Sequence, residues 1–196
     1  SNKLISNWST DLQVNAELDE EQKNIVNVIT SDCLNNRKDA NVIALQSKAG
    51  TGKTRILIES IISIINCSKR DGVKFSILVC AMSNFCVDEI ATQTNSHPSK
   101  NQSAKLARVG AIDKLSNEAK KLRLHDLKAL KDYDVVFTTV NSAYDIYNYK
   151  KDFDVCFIDD ANCCMDSELV ILMQLNITKL FLIGDIFQTQ PMAQSQ

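Results

Sequence analysis

Five short runs of apolar and β-branched residues recur along the chain, at residues 42–45, 76–80, 135–138, 155–158 and 180–183. The stretches between them are long enough for helices. Each run is almost continuously hydrophobic rather than alternating, which suits strands covered on both faces. The pattern therefore predicts an α/β domain with a mainly parallel sheet and helices on both faces. In such sheets ligands gather beyond the carboxyl ends of the strands, so the polar residues that follow each run are the ones to inspect for chemistry.

Between the runs, Asp19 followed by Gln22 and then Ile25, Val26 and Ile29 predicts a capped amphipathic helix, and residues 55–65 predict a second helix. Residues 92–103 turn polar around His97-Pro98 and read as an exposed excursion. Residues 113–131, rich in Lys, Leu and Ala, read as one or two helices outside the sheet, a short helical insert at about 111–132. Residues 9–15 read as linker, so the expected organisation is a linker or N-terminal extension over 1–17 and one domain over 18–196.

Composition narrows this picture. A chain of 196 residues with 44% apolar content has the material for one compact core. A formal charge of -2 supplies no global basic field, so any nucleic acid must be held by a local patch or by backbone amides. No stretch approaches the ~18 consecutive apolar residues of a membrane span, and the polar start does not resemble a signal peptide. Seven cysteines without CxxC spacing read as small buried thiols of an intracellular protein, cytoplasmic or nuclear. Cys163-Cys164 lack nearby histidines, so no metal cluster is expected from them.

The chemistry starts after the first run. Gln46-Ser47-Lys48-Ala49-Gly50-Thr51-Gly52-Lys53-Thr54 leads from a predicted strand into a predicted helix, the context of a phosphate-binding loop. Glycines let successive N–H groups turn inward around phosphate oxygens, Lys53 brings charge to the terminal phosphates and Thr54 a hydroxyl to Mg²⁺. The cofactor-binding set expected from this stretch is Lys48, Ala49, Gly50, Thr51, Gly52, Lys53, Thr54 and Arg55. Ser47 stands where the pattern places its first glycine. After the fourth run, Asp159 and Asp160 form a Walker B arrangement, one carboxylate for Mg²⁺ and the other to orient the attacking water. After the fifth, Gly184-Asp185-Ile186-Phe187-Gln188 puts an acid and an amide at the same sheet edge, with Gln188 as the sensor of the terminal phosphate.

In this order the motifs resemble the first RecA-like domain of superfamily 1 helicases, in the branch of the nonsense-mediated mRNA decay helicase and senataxin. The resemblance covers residues 18–191. It implies a P-loop NTPase that binds ATP and Mg²⁺, in which Lys53, Asp159, Asp160 and Gln188 are catalytic and Thr54 and Asp159 hold the metal. Leu18-Asp19-Glu20-Glu21-Gln22 is similar to the Q motif, which makes Gln22 a reader of adenine as well as a capping residue. Ala81-Met82-Ser83-Asn84-Phe85-Cys86-Val87-Asp88 is similar to motif Ia, and Arg108-Val109-Gly110 and Thr138-Thr139-Val140 follow in family order. By resemblance, Ser83, Asn84, Thr138 and Thr139 touch single-stranded RNA, with DNA as the other candidate. Phe85, Tyr144 and Tyr147 are aromatic candidates for base stacking, with packing against the sheet as their alternative.

The departures set expectations of their own. The family's second Walker B acid is normally glutamate, so Asp160, one methylene shorter, implies slowed hydrolysis. Thr189-Gln190 replaces the usual Leu-Pro after Gln188. In the family a second RecA-like domain follows at this point and completes the ATP site, so unwinding is expected only with that second domain. The reading from another class is a nucleotide-gated scaffold that binds RNA or protein.

Overall fold

A computed structural model describes residues 18–46, 48 and 50–185. Helix α1 (Glu20–Asn35) starts with the predicted capping box: Asp19 accepts from the Gln22 amide at 2.8 Å, and the Asp19 amide donates to Gln22 Oε1 at 3.1 Å. Strand β1 (Asn41–Gln46) leads through the glycine loop into α2 (Lys53–Arg70), longer at both ends than its apolar core predicts. Ser60 and Ser68 extend the buried face of α2 by donating to the carbonyls of Ile56 and Ile65, which makes their hydroxyls compatible with a core position.

Strands β2 (Ile77–Ala81), β3 (Leu106–Arg108), β4 (Val135–Thr139), β5 (Phe153–Ile158) and β6 (Ile177–Gly184) complete one sheet, ordered β1-β6-β5-β2-β4-β3 with every pair parallel. All five predicted runs are strands. β3 is the addition: three residues with a charge at the end of an apolar triplet fall below what a run-based reading detects. One face of the sheet packs Ile77, Val79, Phe137, Phe157 and Phe181 against α1, α2 and α3 (Asn84–Ser96). The other packs Leu78, Val136, Cys156 and Ile158 against α5 (Tyr144–Tyr147) and α6 (Asp166–Met173). Helices thus lie on both faces and the fold is RecA-like, but the expected cover on both faces fails at the edge strand β1, whose residues alternate between half-buried and exposed.

The segment 111–132 differs from its expected helices. It holds a 3-10 turn at Ile112–Lys114, a single-turn α4 (Asn117–Lys120) and a second 3-10 stretch at Leu127–Asp132. Between them the backbone pairs with the outer edge of β3: Arg108 donates to the Leu122 carbonyl at 2.8 Å and Leu124 donates to the Arg108 carbonyl at 3.0 Å. Those bonds occupy an edge that would otherwise stay open, and Leu124 is buried in the core beside it. Edge-capping therefore outweighs the helical propensity of this lysine- and leucine-rich stretch. No helix among the described residues is long and apolar enough to cross a membrane.

Candidate functional site

The turn after β1 is built on left-handed backbone. Gly50 and Gly52 have φ of +78° and +79°, values at which a side chain is strained. Thr51 donates its hydroxyl to the Lys48 carbonyl at 2.8 Å and so closes the loop on itself. Lys53 Nζ lies 3.4 Å from the same carbonyl, a weak contact that leaves the ammonium over the loop. Thr54 and Arg55 follow in the first turn of α2, whose N-terminal amides open toward the loop. Gln22 Nε2 donates to the Thr51 carbonyl at 3.0 Å, so the residue that caps α1 also fastens the glycine loop. A Cβ at Gly52 would stand 2.9 Å from that nitrogen. Ser47 and Ala49 lie outside the described residues.

Across the sheet, the Asp159 amide donates to the Cys80 carbonyl at 2.9 Å, which fixes Asp159 at the carboxyl end of β5. Thr54 Oγ1 approaches Asp159 Oδ2 at 3.4 Å. The two residues expected to share Mg²⁺ are thereby brought together across 105 positions of sequence. Asp159 is 4% exposed, and its Oδ1 is buried without a hydrogen-bond partner among the described residues. Burial, and then the negative charge of Asp160, pushes the Asp159 carboxyl up to about 6, against the opposing pull of the Asp160 amide, the Thr54 hydroxyl and Lys53. An under-solvated carboxylate with an orphan oxygen beside a threonine hydroxyl is an oxygen donor set suited to a hard divalent cation.

Asp160 adopts left-handed backbone, φ +50°, and begins the 3-10 turn Ala161–Cys163. That turn presses on the end of β6: a Cβ at Gly184 would lie 2.8 Å from Asn162 Oδ1 and 3.2 Å from the Asn162 backbone nitrogen. The Asp185 amide donates to Asn162 Oδ1 at 3.1 Å. Asn162 therefore ties the Walker B turn to the strand that leads toward the proposed sensor, a link that the sequence reading did not assign to it. Gln188 lies outside the described residues.

The expected nucleic-acid residues occupy two adjacent strand ends, with Cys80 and Ala81 of β2 opposite Thr138 and Thr139 of β4. Ser83 is exposed and caps α3, accepting from the Cys86 amide at 3.1 Å. Thr138 and Thr139 are buried, 0% and 5% exposed, and Thr139 Oγ1 already accepts from the Ser142 amide at 3.2 Å. A strand of nucleic acid cannot reach the Thr138 side chain without uncovering it. Asn84 is half-buried, and its Oδ1 accepts from Arg108 Nη2 at 2.8 Å. Arg108 itself is fully buried, bonded through Nε to Asp88 Oδ1 at 2.8 Å, and Asp88 Oδ2 accepts from the Ser116 amide at 2.6 Å. Burial lowers the Arg108 pKa, and the bond and charge of Asp88 offset only part of that shift. Arg108 and Asp88 carried no individual role in the sequence reading, although a charge inside the apolar stretch Leu106-Ala107-Arg108-Val109 was the signal for one. Phe85 stands 77% exposed next to Asn84, and Tyr144 and Tyr147, also exposed, stack on each other with ring centroids 6.5 Å apart.

In sequence, the chain matches the AAA domain family over residues 17–129 and 125–196. No curated protein is detectably similar to it. Among solved structures it is similar to the SWI2/SNF2 ATPase core of Sulfolobus solfataricus in complex with dsDNA, at 17% identity and a TM-score of 0.54 over 87% of this chain and 32% of that one. It is similar to a nuclease-deletion mutant of the Type ISP restriction-modification enzyme LlaGI with a DNA substrate mimic, at 16% identity and a TM-score of 0.62 over 86% of this chain and 17% of that one. The UvsW helicase of bacteriophage T4 aligns at 15% identity and a TM-score of 0.55 over 82% of this chain and 51% of that one. The chain spans about half or less of each of those proteins. At these identities the likeness concerns the fold. The chain belongs to the AAA domain family, and it has the RecA-like fold of helicase-type ATPase domains.

Proposed function

We propose that the protein is the ATP-binding half of a superfamily 1 helicase or translocase, of the branch that contains the nonsense-mediated mRNA decay helicase and senataxin. Completed by a second RecA-like domain, it couples ATP hydrolysis to movement on single-stranded RNA or DNA. The observation that carries this reading is the meeting of Thr54 with Asp159, whose second oxygen is buried with no partner among the described residues. Thr54 and Asp159 would hold Mg²⁺, which when bound supplies charge neutralisation to the phosphoryl group in transfer. Lys53 and the amides around Gly50 and Gly52 cradle phosphate oxygens, Gln22 reads adenine, Asp160 orients the attacking water and Gln188 senses the terminal phosphate. That two of the structurally similar proteins are described with DNA supports nucleic acid as the partner.

Binding of a fluorescent ATP analogue, with and without Mg²⁺, tests the site. Lys53→Ala and Asp159→Ala should each weaken binding by about tenfold or more, an increment of about 1.4 kcal/mol. Unchanged affinity in both variants would remove the phosphate-loop reading.

One observation favours the scaffold as a second reading. Asp160 places a carboxylate one methylene shorter than the family's glutamate on left-handed backbone, and a displacement of about 1 Å at a positioning group costs on the order of 100-fold in rate. If Asp160→Glu leaves the steady-state ATPase rate where it was, the short acid is not what limits turnover.

A further inference from the structure

At the amino ends of the strands, the edge opposite the phosphate loop, lies a cleft of about 420 Å³. Strands of five and six residues at about 3.3 Å per residue put it roughly 16–20 Å from the loop. Its lining carries five cations, Arg37, Lys74, Lys131, Lys150 and Lys151, against two carboxylates, Asp152 and Asp154. Both carboxylates are engaged: Asp154 accepts from Arg37 at 2.7 and 2.9 Å and from the Ser76 amide at 2.7 Å, and Asp152 accepts from Asn176 at 2.6 Å. The four lysines form no ion pair among the described residues.

Two of the lining groups are buried without being fully satisfied. Lys151 is 6% exposed and donates to the carbonyls of Leu130 and Tyr133 at 3.2 and 2.7 Å, which leaves its third N–H unassigned. Ser76 is 8% exposed, and its hydroxyl has no partner among the described residues. Lys151 Nζ stands 5.5 Å from the Phe153 ring centroid and feels Asp134, Asp132 and Asp154 without an ion pair to any of them among the described residues. An anion in the cleft that Lys151 and Ser76 both line therefore offers the ammonium a counter-charge and the hydroxyl a partner.

We infer that this cleft is a second anion site, taking a small ligand that carries one or two phosphate groups. Phosphate matches a cluster of point-charge donors and a hydroxyl, and the cleft volume lies in the usual range of small-molecule sites. Asp152 and Asp154 within the lining disfavour a continuous polyanion such as a nucleic-acid strand.

The probe is inorganic pyrophosphate, followed by amide-resolved NMR at constant ionic strength on the wild-type protein and on Ser76→Ala and Lys74→Ala. Saturable shifts are expected at Ser76, Lys151 and Phe153, separate from any at residues 50–54, with affinity reduced about tenfold or more in each variant. Ser76→Ala removes a hydroxyl that bonds to nothing among the described residues, so a structural role predicts no change there. Shifts confined to residues 50–54 would overturn the second site while leaving the nucleotide loop intact. Equal shifts from chloride, or equal occupancy of the cleft by an oligonucleotide without terminal phosphates, would overturn it as well.

Discussion

Replacing Arg108 by methionine tests the network behind motif Ia. The substitution leaves the Asp88 carboxylate, whose side chain is 6% exposed, with the Ser116 amide and without its cation. Breaking a buried pair by removing one partner costs about 3–5 kcal/mol, because a charge stays buried and unmatched. For a domain of this size, stable by about 5–15 kcal/mol, that is between about a fifth and all of the total. Urea denaturation followed by far-UV circular dichroism should show a midpoint shift of that size with an unchanged slope. The double variant Arg108→Met/Asp88→Leu should regain about 2 kcal/mol of the summed single losses, since the stranded carboxylate is gone. Asn84 supplies a second readout. Arg108 Nη2 holds its amide oxygen, so in the folded variant single-stranded RNA binding should fall several-fold as the amide loses its orientation. A loss below about 1 kcal/mol in the single variant, with no coupling in the double, would refute the view that this pair sets the geometry of the motif.

Three further outcomes are expected. Gly184→Ala forces the Asn162 turn to move, and with it Asp160, so ATP turnover should drop by about 10- to 100-fold while nucleotide binding changes little; unchanged turnover would show the contact to be slack. Burial, with the charge of Lys74, pushes Lys151 down to about 8. A base whose folded pKa lies below its unfolded value carries its full penalty below the folded pKa and sheds it as pH rises toward the unfolded one. The wild type should therefore gain on the order of 2–3 kcal/mol over Lys151→Met between about pH 8 and 10, read from urea midpoints, and a flat difference would contradict it. Phe85→Ala should leave stability within about 0.5 kcal/mol but weaken single-stranded RNA binding by about 1–3 kcal/mol if the exposed ring stacks a base; filter binding distinguishes this from no effect.

Much of the fold was legible because the five long strands are apolar runs each followed by turn or polar residues, although β1 is not covered on both faces as expected: Val42 is 64% exposed. β3 escaped because three residues give no period, and its Arg108 reads as a surface charge unless the partner Asp88, 20 positions away, is known. The glycine turn after β1 was legible from residue order alone, since the left-handed backbone that Gly50 and Gly52 adopt is what glycine permits there. Thr138 and Thr139 show the limit of motif reading: the motif names the residues, but only the packing of β4 between β2 and β3 shows that their side chains face inward. The amino-edge cleft was not foreseen because its five cations come from four separate segments, around Arg37, Lys74, Lys131 and Lys150-Lys151, with no shared spacing, and the parallel strand register brings them together.

The central claim is tested most directly by ATP hydrolysis in the presence and absence of single-stranded RNA, with Lys53→Ala alongside and the longest natural product of the gene as the enzyme. The account predicts RNA-stimulated turnover that Lys53→Ala abolishes. Turnover indifferent to Lys53, or no turnover even when Asp160 is changed to Glu, would contradict it.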